Sequence, residues 1–476
     1  MPTDSIRPHH AAARILSEMC AEFGLEEPEG DDLESIEVTG VSSDHQHVES
    51  GDIFVAIPGE RTHGANFVAD AVESGAVAVL TDPAGRVVAA EASVPVLVVD
   101  DPRLALGHVA RWVYRTDPEA PRLFGVAGSV GKTSVTFLIA DLFERLGVAA
   151  GLSSSAGRRT GESRVASTLT TPEADDLHAL IARMREVGER VAAIEISSHA
   201  LGGERLAGLE FEVVGPLNFA ADRHDAEAFV EAERDLVDPE LARRAVINVD
   251  SEAGRRLVEA ARIPVATLSS QPDSDADWIV EWHSDDQGTR FEVRGHDDRV
   301  VRSHTTKPGA LAALNAASAI VMVVEGGWAT EQIQDALDRT DGFDVRIPGR
   351  LERVAARDGA PAVYIDGDDS AAAVRTALTS LRAHTPGRLS IVVGDGQAFG
   401  ADAASVAHEL ADRVLVGGGD EPATAQALQQ ALADADADDT VLFLEARADA
   451  LRHLDDDKIT DPTLELARDA LSDAGW

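Results

Sequence analysis

The sequence predicts an α/β protein of three units, with a parallel sheet built around a phosphate-binding loop in the middle unit. Three observations lead there. The run Phe124-Gly-Val-Ala-Gly128-Ser-Val-Gly131-Lys132-Thr133-Ser134 places an apolar strand before a glycine-rich turn and a helix start. Short apolar runs alternate with helix-length stretches, the pattern of parallel strands with covered faces. A chain of 476 residues exceeds one ordinary domain and sets a soft expectation of about three.

The first unit spans residues 1–120. Residues 9–23 read as an amphipathic helix. The apolar runs at 36–41, 53–57, 76–80 and 96–99, bounded by Gly, Pro and Asp, read as strands, with helical patterns at 65–73 and 103–114 between them. The second unit, 121–345, opens with a strand at 123–126 and a helix from 132 to about 146, stopped by Gly147. Core strands follow at 191–196, 213–216 and 245–249, and an apolar helix at 311–324 closes the unit. Pro348-Gly349 marks a linker into the third unit, 346–476, whose strands at 363–365, 389–393, 413–416 and 440–443 alternate with helices in a small Rossmann-like, doubly wound domain.

Composition excludes several classes. Apolar residues are 44% of the chain, enough for real cores. No apolar run approaches the roughly 18 residues of a membrane span, and the N-terminus lacks the layout of a signal peptide. The single cysteine, Cys20, gives neither a disulfide framework nor a Cys-rich zinc motif. The cytoplasm is the expected compartment. The formal charge of −42, from 84 acidic and 42 basic residues, repels nucleic acid and anionic membrane alike. Such a composition suits concentrated salt, which screens self-repulsion. A monomer is the expected state.

Lysine occurs only at Lys132, Lys307 and Lys458, and one of these three stands where a phosphate-loop lysine must. Gly128 and Gly131 permit tight turns. Backbone N–H groups of Ser129, Val130, Gly131, Lys132 and Thr133 would face phosphates at the positive end of a helix that continues through Ser134. Lys132 would reach the terminal phosphates and Thr133 would hold Mg²⁺. The usual opening glycine falls at Val126. Glu195 ends an apolar strand, a placement suited to Mg²⁺; its plain alternative is a helix start capped by the neighbouring Ser or His199. Ser167-Thr-Leu-Thr170-Thr171-Pro172-Glu173 reads locally as an N-cap with Pro at the first helical position.

In order and content these segments resemble the Mur ligases, ATP-dependent amide-forming ligases of peptidoglycan-precursor synthesis, and most of all the third-amino-acid-adding UDP-N-acetylmuramoyl-dipeptide ligases. Val41-Ser-Ser-Asp44 with Gly51-Asp-Ile-Phe-Val-Ala-Ile-Pro-Gly59 resembles their first-domain signature. Gly125-Val-Ala-Gly-Ser-Val-Gly-Lys-Thr-Ser134 matches their phosphate loop, which also lacks the opening glycine. Leu169-Thr-Thr-Pro-Glu173 and Ile194-Glu-Ile-Ser-Ser-His-Ala-Leu201 match two further motifs; Asn218, Val246-Ile-Asn-Val-Asp250, Asn315 and Pro348-Gly-Arg350 continue the register. The resemblance implies a three-domain fold, ATP and Mg²⁺ as cofactors, and an acyl phosphate formed on a small-molecule carboxylate, with a UDP-sugar-linked acid among the candidates, before attack by an amine or amino acid. It implies that Lys132 neutralises the transferred phosphate, Glu195 holds Mg²⁺, Asn315 contacts adenine, and Arg350 and Asp366 close on the nucleotide. Thr170, Thr171, Ser198 and Arg205 would hold the carboxylate substrate, and Ser43 and Asp44 the UDP group.

Departures accompany the match. The family's metal-binding histidine corresponds to His224, displaced by one residue within Asp222-Arg223-His224-Asp225. Glu233 stands where the family carries a carbamylated, Mg²⁺-binding lysine; a solvated helix glutamate is the alternative. Ile365-Asp366-Gly-Asp-Asp369 replaces an Asp-Tyr-Ala-His segment, and Gly417-Gly-Gly-Asp-Glu-Pro422 stands near the place of the Asn-Pro-Arg signature for diaminopimelate, so another amine is expected. Two rivals to a ligase fit the same residues: a degenerate homologue acting as a nucleotide-driven binding protein, and a small-molecule kinase or ATPase on the same loop.

Overall fold

Side-chain alternation sets the core of the middle sheet. Along the strand Arg122–Gly128, Leu123 and Ala127 pack into one apolar cluster, Phe124 and Val126 into another on the opposite face. A strand buried on both faces needs helices on both sides. Here they are the phosphate-loop helix Lys132–Arg145 with the apolar helix Ala310–Glu325 on one face, and Ala174–Glu186 on the other.

The computed structural model describes residues 6–476 except 29, 117–120, 218–225, 286, 298, 358, 397–398, 446–453, 456–457 and 460–461. Its sheet of 11 strands is parallel at the centre, in the spatial order Ala150–Ser154, Val191–Glu195, Arg122–Gly128, Phe211–Leu217, Ala245–Asn248, Val265–Ser269. The chain leaves the phosphate-loop strand toward one side and returns to continue on the other. That strand is therefore a topological switch point, and its carboxyl end opens a crevice. Antiparallel ribbons, which the sequence reading did not contain, extend both ends: Gly157–Thr160 with Ser163–Val165, and Trp278–Asp285, Gly288–Gly295, Val300–Thr305. In the longer ribbon Trp278, Val280, Phe291, Val293 and Val301 alternate with less buried residues, among them Glu281, Arg290, Glu292, Arg294 and Arg302, and pack into the same core as the helix Ala310–Glu325.

The first unit carries four parallel strands, Gly40–Ser42, Asp52–Ala56, Ala78–Thr81 and Val96–Val98. Its opening helix is shorter than expected, Leu16–Phe23. Arg14–Ile15 pairs instead with Glu37–Val38, and the His9 and His10 N–H groups donate to Glu186. A helix at Pro83–Val88 went unread although Asp82 caps it and Pro83 opens it. The third unit orders Glu352–Arg353, Ala362–Asp366, Thr440–Leu444, Leu389–Val393 and Arg413–Val416, parallel except for the first.

The first and middle units meet tightly. The helix Pro102–Tyr114 lies against Ala207, so that a Cβ at Gly107 would overlap the Ala207 carbonyl. Buried His178 donates from Nε2 to that carbonyl at 3.0 Å, which leaves Nδ1 to accept from Thr116 Oγ1 at 2.6 Å. Burial holds its pKa down to about 4, so the ring is a neutral linchpin of the junction.

Candidate active site

The loop after Arg122–Gly128 turns twice through left-handed backbone, at Gly128 (φ 108°) and Gly131 (φ 97°). A Cβ at Gly131 would overlap Asn315 Oδ1, so the loop is pressed against the helix Ala310–Glu325. Lys132 arches back over the loop, donating from Nζ to the carbonyls of Gly128 at 2.8 Å and Ser129 at 3.1 Å. One sequence expectation needs correction: the Ser129 N–H is bound to the Leu217 carbonyl at 2.7 Å and does not face into the loop. Parallel pairing of the two strands brings that carbonyl alongside.

Thr133 begins the helix and Glu195 ends the adjacent strand, so register alone brings them together. Thr133 Oγ1 lies 3.2 Å from Glu195 Oε1 and 3.1 Å from Ser155 Oγ. Glu195 Oε2 accepts from the Ser155 N–H at 2.9 Å. Burial raises the Glu195 pKa, opposed by that N–H and by the charges of Lys132 and Arg350. Ser155 escaped the sequence reading; its one signal is a small polar run, Ser153-Ser154-Ser155, closing a strand two places from the loop strand.

The third unit reaches into this cluster. Arg350 Nη2 donates to Thr133 Oγ1 at 3.3 Å and Ser155 Oγ at 3.4 Å. A single cleft is lined by Gly131, Lys132, Thr133, Asn315, Arg350 and Asp366. The Asn315 Oδ1 in it is buried without a hydrogen-bond partner. Asp366 accepts from the Leu351 N–H at 3.0 Å, and burial pushes its carboxyl up to about 6.

Other candidate residues flank the cleft. Glu233 is buried, not solvated: Ser198 Oγ donates to its Oε1 at 3.3 Å, Oε2 has no partner, and burial pushes its carboxyl up to about 7. Thr171 is buried with its hydroxyl bridging the Glu195 carbonyl and the Ser197 N–H, each at 2.9 Å. Arg205 donates to the Thr171 carbonyl and pairs with Glu173 at 2.8 Å. Pro172 does not open the helix; Glu173 is the N-cap and Ala174 the first helical residue. Thr170 is half-buried beside Thr171. Ser43 sits farther along, its N–H donating to Asp175 at 2.6 Å, while Asp44 caps the short turn His45–His47. Asn218 and His224 lie outside the described residues.

The donor set fits a magnesium nucleotide. Among the described residues no group of three His, Cys, Asp or Glu could hold a cation alone. Mg²⁺ needs less from a protein, because it binds through one or two carboxylates together with phosphate oxygens. Thr133 and Glu195 offer that, beside an ammonium and a guanidinium suited to phosphate.

A phosphate loop at a switch point, a strand-end carboxylate and a third unit closing over both define a nucleotide-binding α/β protein of the phosphate-loop class. The chain belongs to the Mur ligase family. The family catalytic domain matches residues 37–114, the Mur ligase middle domain 126–323, and the glutamate ligase domain 349–461. It is similar to the UDP-N-acetylmuramyl-tripeptide synthetase of Leifsonia xyli subsp. xyli, 44% identical over 87% of this chain and 81% of that protein. It is also similar to the UDP-N-acetylmuramoyl-L-alanyl-D-glutamate--2,6-diaminopimelate ligase of Streptomyces avermitilis, 37% identical over 82% of this chain and 76% of that protein. In fold it resembles a solved UDP-N-acetylmuramoyl-L-alanyl-D-glutamate--2,6-diaminopimelate ligase, with a TM-score of 0.69 at 21% identity, covering 98% of this chain and 100% of that one. The MurF ligase of Thermotoga maritima in complex with ADP gives a TM-score of 0.60 at 18% identity, over 91% and 98%. No helix among the described residues is long and apolar enough to cross a membrane.

Proposed function

We propose that this chain is an ATP-dependent acid–amine ligase that adds an amino acid to a UDP-sugar-linked peptide carboxylate, as its relatives' names describe for them. One observation carries the reading most: Arg350 of the third unit meets Thr133 beside Lys132 and Glu195, so nucleotide chemistry is completed by closure of two units. A substrate carboxylate oxygen attacks the γ-phosphorus of ATP and ADP departs, leaving an acyl phosphate. The amine nitrogen then attacks the acyl carbon, phosphate leaves, and the amide nitrogen loses a proton.

In this reading Lys132 and Arg350 stabilise charge on the transferring phosphoryl group, and Asn315 and Asp366 face the nucleotide. Thr133 and Glu195 hold Mg²⁺, which supplies further neutralisation when bound. Glu233 offers a second carboxylate near Lys132 and Ser198. Thr170, Thr171, Ser198 and Arg205 shape the acid site, Ser43 and Asp44 the distal nucleotide end. His224 has the sequence register of the family's metal-binding histidine, displaced by one residue. The amine is an amino acid read by a third unit without the Asn-Pro-Arg signature. Closure excludes water, which would hydrolyse the acyl phosphate. A cytoplasmic monomer of three units, 1–120, 121–345 and 346–476, suits an enzyme fed by ATP.

The non-ligating alternative is disfavoured by the intact Lys132–Thr133–Glu195–Arg350 cluster and by 44% identity to a synthetase. ADP release measured with acid and amine, separately and together, tests the proposal. Stable amide product and fast ADP release should need both, and Lys132→Ala should reduce turnover more than about a hundredfold. Fast ADP release with neither partner, or a stable phosphoester, would refute it.

A further inference from the structure

Lys307, one of only three lysines, is absorbed by none of these roles. It sits in the turn between the ribbon strand Val300–Thr305 and the helix Ala310–Glu325. The ribbon holds this turn from behind. Thr289 Oγ1 donates to the Lys307 carbonyl at 2.8 Å and accepts from the Gly309 N–H at 2.9 Å. In front, the turn bears on the third unit: a Cβ at Gly309 would press within 3.1 Å of Ser380, in the helix Ala371–Arg382. From this fixed base Lys307 Nζ donates to the carbonyls of Arg350 and Leu351.

The segment it grips is conformationally demanding. Gly349 and Leu351 both lie in the left-handed region, at φ 60° and 43°, on either side of Arg350. For leucine this backbone is disfavoured and persists only where its surroundings impose it. Asp366 takes the Leu351 N–H, and the ammonium takes two carbonyls. A compact ammonium with three rotatable donors suits two neighbouring carbonyls better than a planar guanidinium fork. A chain that uses arginine almost everywhere keeps lysine here.

We propose that Lys307 is a positioning residue, holding Arg350 in the conformation that presents its guanidinium to the phosphate loop across the junction of the middle and third units. The antiparallel ribbon thereby gains a task, since it supplies the hydroxyl that fixes the turn. This rests on the reading of Arg350 as a nucleotide contact.

The test is calorimetric titration of the full chain with Mg²⁺ and a non-hydrolysable ATP analogue. It compares Lys307→Met, Arg350→Ala, the double variant and wild type, with melting followed in parallel. Lys307→Met should weaken the analogue about tenfold, Arg350→Ala by at least as much, and the double variant no further than Arg350→Ala alone, the pattern of two residues acting as one. Turnover should separate likewise: KM for ATP rises in Lys307→Met while KM for the acid stays put, a split that a mere loss of folded protein would not produce. Lys307→Arg, which keeps the charge, guards against a variant that fails to fold; it should bind the analogue more weakly than wild type. Independent, additive losses, or wild-type binding by Lys307→Met, overturn the inference. Unchanged binding by Arg350→Ala overturns the underlying reading of Arg350, and the inference with it.

Discussion

Glu233 is a buried carboxylate whose only hydrogen bond among the described residues comes from Ser198, beside the ammonium of Lys132. On the helix Ala226–Glu233 of an acidic chain, local composition reads it as one more solvated carboxylate. Only its count from Asn218, in the family's order, singles it out. The fold turns it inward, where Oε2 finds no partner. An ionised carboxylate there is disfavoured by desolvation, and its pKa rises from 4.5 to about 7. The folded state then binds a proton that the unfolded chain has already released. Between about pH 4.5 and pH 7 this residue therefore makes stability fall as pH rises. Buried Asp366 and Asp175, whose pKa values burial also raises, act in the same direction, and buried His178 acts the other way, from about pH 4 to its ordinary value of 6.5, so the bare melting curve mixes them all. The difference between wild type and Glu233→Gln isolates the glutamate. The variant should melt at or above wild type at pH 8, and the gap should close by pH 5. Mg²⁺ with nucleotide should raise the wild-type midpoint more than the variant's if Glu233 is a cation ligand. An equal rise in both would remove it from the metal site.

Elements were legible where local pattern and fold agree. The strand, turn and helix of the phosphate loop carry their glycines, apolar run and lysine within a few residues, so the sequence places them nearly as folded. The ribbon strands from 278 to 305 were missed because they lack the longer continuous apolar runs of the doubly covered parallel strands; theirs is the period-2 alternation of half-buried strands, as in Phe291-Glu-Val-Arg294, and their purpose is set by a distant turn. Ser155 and Lys307 were missed for the same reason: their partners, Glu195 and Arg350, are about forty residues away in each case. The loop itself yields a sharp prediction at Gly131, where positive φ and contact with Asn315 both exclude a side chain. Gly131→Ala should lose about 1–2 kcal/mol through left-handed backbone alone, and more by displacing Asn315. If the nucleotide needs the observed geometry, binding must restore it against this strain once the free loop has relaxed, and titration with an ATP analogue should show affinity reduced at least about tenfold, since each 1.4 kcal/mol is a factor of ten. Retention of wild-type affinity would mean that the loop relaxes and that its observed geometry is not required.

Two junctions of different character organise the whole molecule. The first and middle units share a tight, largely buried contact through Gly107, His178 and the helix Ala174–Glu186, whereas the third unit meets the middle one through charged, half-buried groups around the nucleotide cleft. All three carry the same acidic surface, with 84 acidic residues against 42 basic ones. Most arginines are already engaged by a neighbouring carboxylate, as in Arg243–Glu210, Arg375–Glu409 and Arg382–Asp412. Exposed pairs of this kind contribute about 0–1 kcal/mol each and weaken in salt. The surplus of unpaired carboxylates works in the opposite direction, because it repels at every separation shorter than the screening length. That length falls from about 10 Å at 0.1 M salt to about 3 Å at 1 M. With acids outnumbering bases two to one, repulsion should dominate, and the melting midpoint should rise as KCl increases from 0.1 to about 1 M. Chloride is the informative anion, since sulfate would also strengthen apolar burial by exclusion from the surface. The gain should appear as well in nucleotide-driven closure, where an anionic third unit approaches an anionic middle unit, so turnover should increase over the same range. A midpoint that falls with KCl would mean that the surface ion pairs outweigh the net charge.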